Sequence, residues 1–380
     1  MLYRKMPDAD PALSILGFGC MRLPVDGGGH IDEPGATEML RWAIDHGVNY
    51  VDTAYPYHNG ESEPFVGRAL QDGYRSRVQL ATKLPSWLVT TRADMDKYLD
   101  EQLKRLQTEQ IDFYLVHSLN QASWENMQRL GIGEFLDSTI ADGRIRCAGF
   151  SFHDQAGVFK KIVDGYDWTF CQIQYNFMDE DYQAGTEGLR YAAARGLGIV
   201  IMEPLRGGVL TREVPAVQDV WNRAATKRTL ADWSLRWIWN HPEVHVVLSG
   251  MGTLEQVREN IASAGTATPS CLSTEELNLF DLAREEYRKR IKVPCTSCNY
   301  CIPCPSGVKI PTCFEIYNLA HMYDAAERAK GLYEFMLRAG TSNGAGFASL
   351  CEKCGDCEAL CPQGIPTRER IGEVAAYFGK

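Results

Sequence analysis

The chain has 380 residues, 45% hydrophobic and 23% charged, with a net charge of -10 and a sequence pI near 5.4. That length exceeds what one hydrophobic core supports, so one large domain and one small one are expected, and the composition excludes a disordered or fibrous chain. The acidic balance argues against nucleic acid or an anionic membrane as partner. With no apolar stretch of about 18 residues and no apolar core in Met1 to Pro11, the expectation is a cytoplasmic protein acting on a small molecule.

From the N-terminus onward, short apolar runs alternate with longer segments of helical spacing, a rhythm that predicts a parallel sheet. The predicted strands are Leu16 to Cys20, Asn49 to Thr53, Val78 to Lys83, Phe113 to His117, Ala148 to Ser151, Phe170 to Gln174, Ile199 to Met202 and Val246 to Ser249. Predicted helices such as Gly35 to His46, Arg92 to Leu106 and Thr229 to Asn240 fall between or after them. Eight strand-helix units in about 250 residues point to a closed (β/α)8 barrel. A doubly wound dinucleotide fold is the competitor, but Gly17-Phe18-Gly19-Cys20-Met21-Arg22 lacks the third glycine its phosphate loop requires.

Barrel chemistry sits where strands end at the carboxyl face. Asp52 is next to last in the second predicted strand with Tyr57 just past it, Lys83, His117 and Ser151 end the third to fifth, and Gln172 is in the sixth. A phenol with a pKa of about 10 is a poor acid at neutral pH unless a cation stabilises its phenolate. Lys83 is placed to be that cation, Asp52 to hold it charged, and His117 to hydrogen-bond a carbonyl oxygen and direct it toward the Tyr57 proton. Singly, the same residues read as a structural ion pair, a core histidine and a loop aromatic. At successive strand ends they read together as a proton-transfer site.

These residues stand in Asp52-Thr53-Ala54-Tyr55-Pro56-Tyr57, Ala81-Thr82-Lys83 and Leu115-Val116-His117, and over roughly residues 10 to 265 the chain resembles the aldo-keto reductase superfamily. The resemblance implies a barrel that reduces a carbonyl, or oxidises an alcohol, with NAD(P)H, Tyr57 being the proton donor. It further implies that Ser151 and Gln172 hold the nicotinamide carboxamide and that Asn260 contacts adenine. Met202 stands where many relatives place an aromatic that stacks on the nicotinamide, leaving a softer thioether contact. The stretch from Ser249 to Gln256 lacks the lysine and arginine that grip a 2'-phosphate in NADPH-specific relatives, and Arg258 is the nearest cation, which tilts the expectation toward NADH.

The last 90 residues carry eight of the thirteen cysteines in two runs: Cys295, Cys298, Cys301 and Cys304 before Pro305, and Cys351, Cys354, Cys357 and Cys361 before Pro362. Three thiolates at steps of three wrap one [4Fe-4S] cluster, and the fourth ligates the other. The expected sets are Cys295, Cys298, Cys301 and Cys361 for one cluster, and Cys351, Cys354, Cys357 and Cys304 for its partner. The first run is one residue shorter than the bacterial pattern at Cys304, which leaves Cys313 as a substitute ligand, and two structural zinc sites are the alternative reading.

Tyr317 to Leu337, between the runs, has helical spacing, so a mainly helical, ferredoxin-like dicluster module over residues 289–380 is expected behind a barrel over 1–288. This combination, with Gly149-Phe150-Ser151-Phe152-His153 and Glu203-Pro204-Leu205-Arg206-Gly207-Gly208, resembles a ferredoxin-like branch of the aldo-keto reductases. Nicotinamide moves two electrons as a hydride and a cluster moves one. A flavin, or a ferredoxin-type partner feeding the clusters, is therefore the second expectation beside plain NAD(P)H-dependent reduction.

Overall fold

Runs of β-branched and aromatic residues become parallel strands when helices cover the sheet's outer face and the strands' own side chains fill its inner one. This computed structural model describes residues 1–295, 300–338, 346–361 and 363–379, and in it eight such runs close into one barrel. The strands are β1 (Leu16–Gly19), β2 (Tyr50–Asp52), β3 (Gln79–Leu84), β4 (Ile111–Leu119), β5 (Ile145–Phe152), β6 (Phe170–Gln174), β7 (Gly198–Met202) and β8 (Val246–Ser249). All neighbours pair in parallel, and β8 closes on β1 with Val247 opposite Leu16 and Ser249 opposite Phe18. The predicted bounds hold for β6 and β8. Strands β4 and β5 run longer at both ends, because burial continues through Ile111, Leu119, Ile145 and Phe152 beyond the apolar runs themselves.

The inner core gathers at the start of the strands, where Tyr50, Phe113, Phe170, Val200 and Val246 meet Met6, Ala9 and Leu13 from the N-terminal segment. That segment folds under the barrel as a small antiparallel pair, Tyr3–Arg4 with Leu13–Ser14. Two residues carry no readable alternation, which is why it went unpredicted. The Phe170 ring fills the space a side chain on Gly149 would need, so the glycine of β5 is what admits the aromatic to the core. With this end plugged, the open end belongs to the strand C-termini.

Contacts divide the chain into two compact units, Met1–Gly207 with Arg228–Thr274, and Gly208–Lys227 with Glu275–Lys380. The expected boundary after Arg288 lies at the end of the helix Thr274–Arg288, nearly all of which belongs to the second unit. There Phe280 meets Trp221 edge-on at 4.9 Å and Tyr287 lies against Tyr323 at 4.9 Å. The helical stretch expected over 317–337 is two helices, Ile310–Met322 and Ala326–Arg338, broken where Asp324 takes φ of 50°. They pack with the helix Thr367–Phe378 around Phe314, Tyr333 and Val374, and six of the cysteines lie against this core. No helix among the described residues is long and apolar enough to cross a membrane.

Candidate active site and cysteine cavities

Lys83, next to last in β3, is fully buried, and burial of a lone ammonium is prohibitive unless it is paired. Its Nζ donates to Asp52 Oδ1 at 2.7 Å and Oδ2 at 2.8 Å, and to the Thr53 carbonyl at 2.8 Å. The ammonium also lies 5.0 Å from the centre of the Tyr57 ring. Burial works against the Lys83 charge, yet Asp52 and Tyr57 together hold its pKa above the ordinary lysine value. Burial pushes the Asp52 carboxyl up and the ammonium opposes it, so the pair remains a charged couple.

Tyr57 opens a one-turn 3-10 segment, Tyr57–Gly60, in which His58 and Asn59 adopt left-handed φ values of 50° and 54°. Such conformations are costly for residues with a side chain and persist when the surroundings impose them. Here the Leu23 amide donates to His58 Nε2 at 3.3 Å and helps hold the turn. Burial raises the Tyr57 pKa and Lys83 pulls against it. The net effect keeps the phenol protonated through the neutral range.

His117 stands at an irregularity in β4, where the register with β5 shifts between Val116 and Leu119 and Ser118 takes φ of 55°. Bulges of this kind re-aim a side chain beside a site. Two hydrogen bonds fix it: Ser86 Oγ donates to the His117 carbonyl at 2.7 Å, and the Ser118 amide donates to Ser151 Oγ at 2.7 Å. The imidazole lies edge-on to Tyr57, 6.3 Å between ring centres, and 5.1 Å from the half-exposed Trp87. Burial, with Lys83 and His153 adding to it, holds the His117 pKa well below the usual histidine value. The ring is therefore neutral, and its buried Nδ1 has no partner among the described residues.

All four expected proton-transfer residues thus come together. On the neighbouring strand ends, Ser151 lies opposite Gln172 in the β5–β6 register, and Gln172 Nε2 donates to Met202 Sδ at 3.5 Å. Gln172 is 2% exposed, yet its carbonyl oxygen has no partner among the described residues. A buried acceptor of that kind suits an amide N–H from a bound carboxamide. Asn260 lies apart from these, in the helix Leu254–Ala264 after β8, where its Nδ2 donates to Ser249 Oγ at 3.0 Å.

The support beneath Lys83 was not anticipated. Buried Glu63 accepts from Thr82 Oγ1 at 2.6 Å and Gln102 Nε2 at 2.6 Å, and Gln102 also donates to the Lys83 carbonyl at 3.0 Å. A glutamate and a glutamine on the apolar faces of the helices Ser62–Ala69 and Arg92–Leu106 were the signal that could have found it.

The Aldo/keto reductase family model matches residues 15–281, which span the barrel and every one of these side chains. The chain belongs to the aldo/keto reductase family. It is an oxidoreductase. An uncharacterized oxidoreductase of Bacillus subtilis is 26% identical over 301 residues, covering 70% of this chain and 91% of its own. A 6-dehydroglucose reductase of Novosphingobium aromaticivorans is 27% identical over 279 residues, covering 68% and 88%. Among solved structures, an aldo-keto reductase of Bacillus halodurans in its holo form superposes with a TM-score of 0.63 at 26% identity, covering 74% of this chain and 96% of its own. One from Klebsiella pneumoniae, in complex with NADP and acetate, does so with a TM-score of 0.59 at 27% identity, covering 71% and 91%.

This reductase also carries an iron-sulfur segment, since residues 294–365 match the 4Fe-4S dicluster domain. Its cysteines surround two cavities. One, of about 160 Å³, is lined by Cys301, Cys304, Cys351, Cys354 and Cys357, with Arg368 at its wall. The other is lined by Cys295, Cys301, Cys357 and Cys361. Cys298 and Pro362 lie outside the described residues. Cys313 lines neither cavity: it is buried and donates to the Gly346 carbonyl at 3.7 Å.

Proposed function

We propose that this reductase reduces a carbonyl of a small molecule, or oxidises the corresponding alcohol, with a nicotinamide cofactor, NAD(P)H. The observation that carries the reading is the Lys83 ammonium bonded to the Asp52 carboxylate and lying 5.0 Å from the Tyr57 ring centre, with a neutral imidazole at the Tyr57 ring edge. When bound, the nicotinamide supplies the hydride. Tyr57 gives its hydroxyl proton to the oxygen that becomes the alcohol, and Lys83 stabilises the phenolate left behind. Asp52 keeps Lys83 charged and fixed, and neutral His117 donates an N–H to the carbonyl oxygen and orients it. The unpartnered Gln172 carbonyl, with Ser151 beside it, suits the carboxamide of the cofactor, and the Met202 thioether is placed near that end. Similarity to a reductase solved with NADP and another solved with NADPH supports the cofactor class. The test is NADPH- and NADH-dependent turnover of a panel of aldehydes and ketones. No turnover with any carbonyl would reject the reading.

Because His117 is already neutral and Tyr57 remains protonated, carbonyl reduction is expected to show no inflection near pH 6.5 and to fall only in strongly alkaline solution. A kcat/KM profile from pH 5.5 to 10 checks this. A bell centred near neutrality would assign the proton to a different group.

For the cysteine segment we propose one cluster on Cys295, Cys298, Cys301 and Cys361, and the other on Cys351, Cys354, Cys357 and Cys304. Cys295 and Cys361 line one cavity and Cys304, Cys351 and Cys354 the other, which supports this division, while Cys301 and Cys357 line both and Cys313 lines neither. Anaerobically purified protein is expected to be brown, to bleach on reduction, and to hold about eight iron atoms per chain. Cys351→Ala is expected to lose about half the iron and Cys361→Ala the other half. Colourless protein with bound zinc would overturn the assignment. The dicluster match also favours a second reading, in which a flavin or a ferredoxin-type carrier couples the clusters to the barrel site. Turnover that survives loss of the Tyr57 hydroxyl would select it.

A further inference from the structure

We propose that Arg368 tunes one of the two clusters, raising the reduction potential of the cluster on Cys304, Cys351, Cys354 and Cys357 and leaving that of its neighbour nearly unchanged. The inference rests on the two-cluster reading above. The two cavities differ in charge. Among the described residues, no lysine, arginine, aspartate or glutamate lines the cavity of Cys295 and Cys361, whose walls are completed by apolar groups such as Ile310, Phe314 and Ile365. The other cavity is lined by the carboxylates Glu352 and Asp356 and by one cation, Arg368.

Arg368 stands in the first turn of the helix Thr367–Phe378, where the macrodipole disfavours a cation. Glu358, from the short helix Asp356–Ala359, compensates and fixes it. Its carboxylate accepts from the Arg368 amide at 2.9 Å and from Arg368 Nε at 2.9 Å, and Arg368 Nη2 lies 2.7 Å from Glu358 Oε2. The remaining edge of the guanidinium rests on the cysteine run itself. A Cβ built on Gly355 would lie 3.6 Å from Arg368 Cζ and 3.6 Å from Nη1, and Gly355 directly follows Cys354 and precedes Cys357 by two residues. The cation is thus held against the turn that presents two thiols of one run. Glu358 holds the Arg368 pKa above the ordinary arginine value, and the charges of Cys357 and Cys354 add to the effect.

A [4Fe-4S] cluster takes up one electron on reduction, which adds one negative charge beside thiolates that are already anionic. A cation fixed in the same cavity favours that reduced form and so raises the potential. Glu352, Asp356 and Glu358 act in the opposite direction, and Arg368 offsets them. Its side chain is 50% exposed, so salt should weaken the effect. A cation placed against the preference of its own helix is the kind of local conflict that functional sites retain.

The test is a potentiometric titration of the anaerobically purified, full-length protein with dithionite, read by electron paramagnetic resonance, in the wild type, Arg368→Gln and Arg368→Lys. Iron is counted in each. Arg368→Gln is expected to keep its iron and to lower one of the two potentials by about 59 mV, a roughly tenfold change in the ratio of reduced to oxidised cluster for a one-electron couple. Arg368→Lys should recover most of the shift. In about 1 M salt the difference between wild type and Arg368→Gln should shrink. The signal that moves should persist in Cys361→Ala and vanish in Cys351→Ala. No shift, equal shifts of both signals, or movement of the signal that Cys361→Ala removes overturns the proposal. Iron lost from Arg368→Gln would make the side chain a structural clasp and overturn it as well. A wild type that holds zinc in place of iron overturns it together with the cluster reading, whereas two clusters whose potentials ignore Arg368→Gln overturn the Arg368 assignment alone.

Discussion

Tyr57→Phe is expected to lower NAD(P)H-dependent carbonyl reduction by about 10²- to 10⁴-fold, the usual contribution of one positioned general acid. The ring that meets His117 at 6.3 Å stays, and Lys83 keeps Asp52 and the Thr53 carbonyl as partners, so the fold and cofactor affinity should change little. The measurement is kcat and the cofactor dissociation constant side by side. Loss of kcat with unchanged binding assigns the proton to the hydroxyl. Unchanged kcat would remove Tyr57 from the chemistry and favour the cluster-coupled reading.

Lys83→Met is expected to cost both activity and stability. Removing one partner of a buried ion pair leaves the other charge uncompensated, a loss of about 3–5 kcal/mol. The Asp52 side chain is 3% exposed, so the unfolding midpoint should fall by roughly 6–20 °C for a unit of this size. The double variant Asp52→Asn with Lys83→Met separates the two effects. It leaves no lone buried charge and should regain much of the stability while carbonyl reduction stays low. If it regained activity as well, the ammonium would be a structural element only. If Lys83→Met alone left the midpoint unmoved, the Asp52–Lys83 ion pair would contribute nothing to stability.

The order of elements was legible because each barrel strand is an apolar run with its own boundary signals, and β6 and β8 came out residue for residue. Where the sequence reading fell short, burial was set by neighbours distant in the chain. The N-terminal pair Tyr3–Arg4 and Leu13–Ser14 owes its place to the Tyr50, Phe113 and Phe170 side chains it covers. The single helical stretch expected between the cysteine runs is interrupted at Asp324, whose left-handed backbone no periodicity announces. The Glu63–Thr82–Gln102 network under Lys83 was hidden for a similar reason, since its members come from a helix, a strand and a second helix.

By itself the sequence determined the barrel class, the identities of Asp52, Tyr57, Lys83 and His117, and the two cysteine runs with their spacing, because each is carried by residues close together or at repeated strand ends. Only the tertiary structure decided that Lys83 bonds the Asp52 carboxylate beside the Tyr57 ring, that the His117 ring is neutral, and that the thiols from two runs line two shared cavities. It alone brought the Arg22 side chain to Gly250, more than 200 residues away in sequence. The physical reason is closure: a cyclic sheet makes its first and last strands neighbours, so residues from the two ends of the barrel sequence meet at adjoining loops.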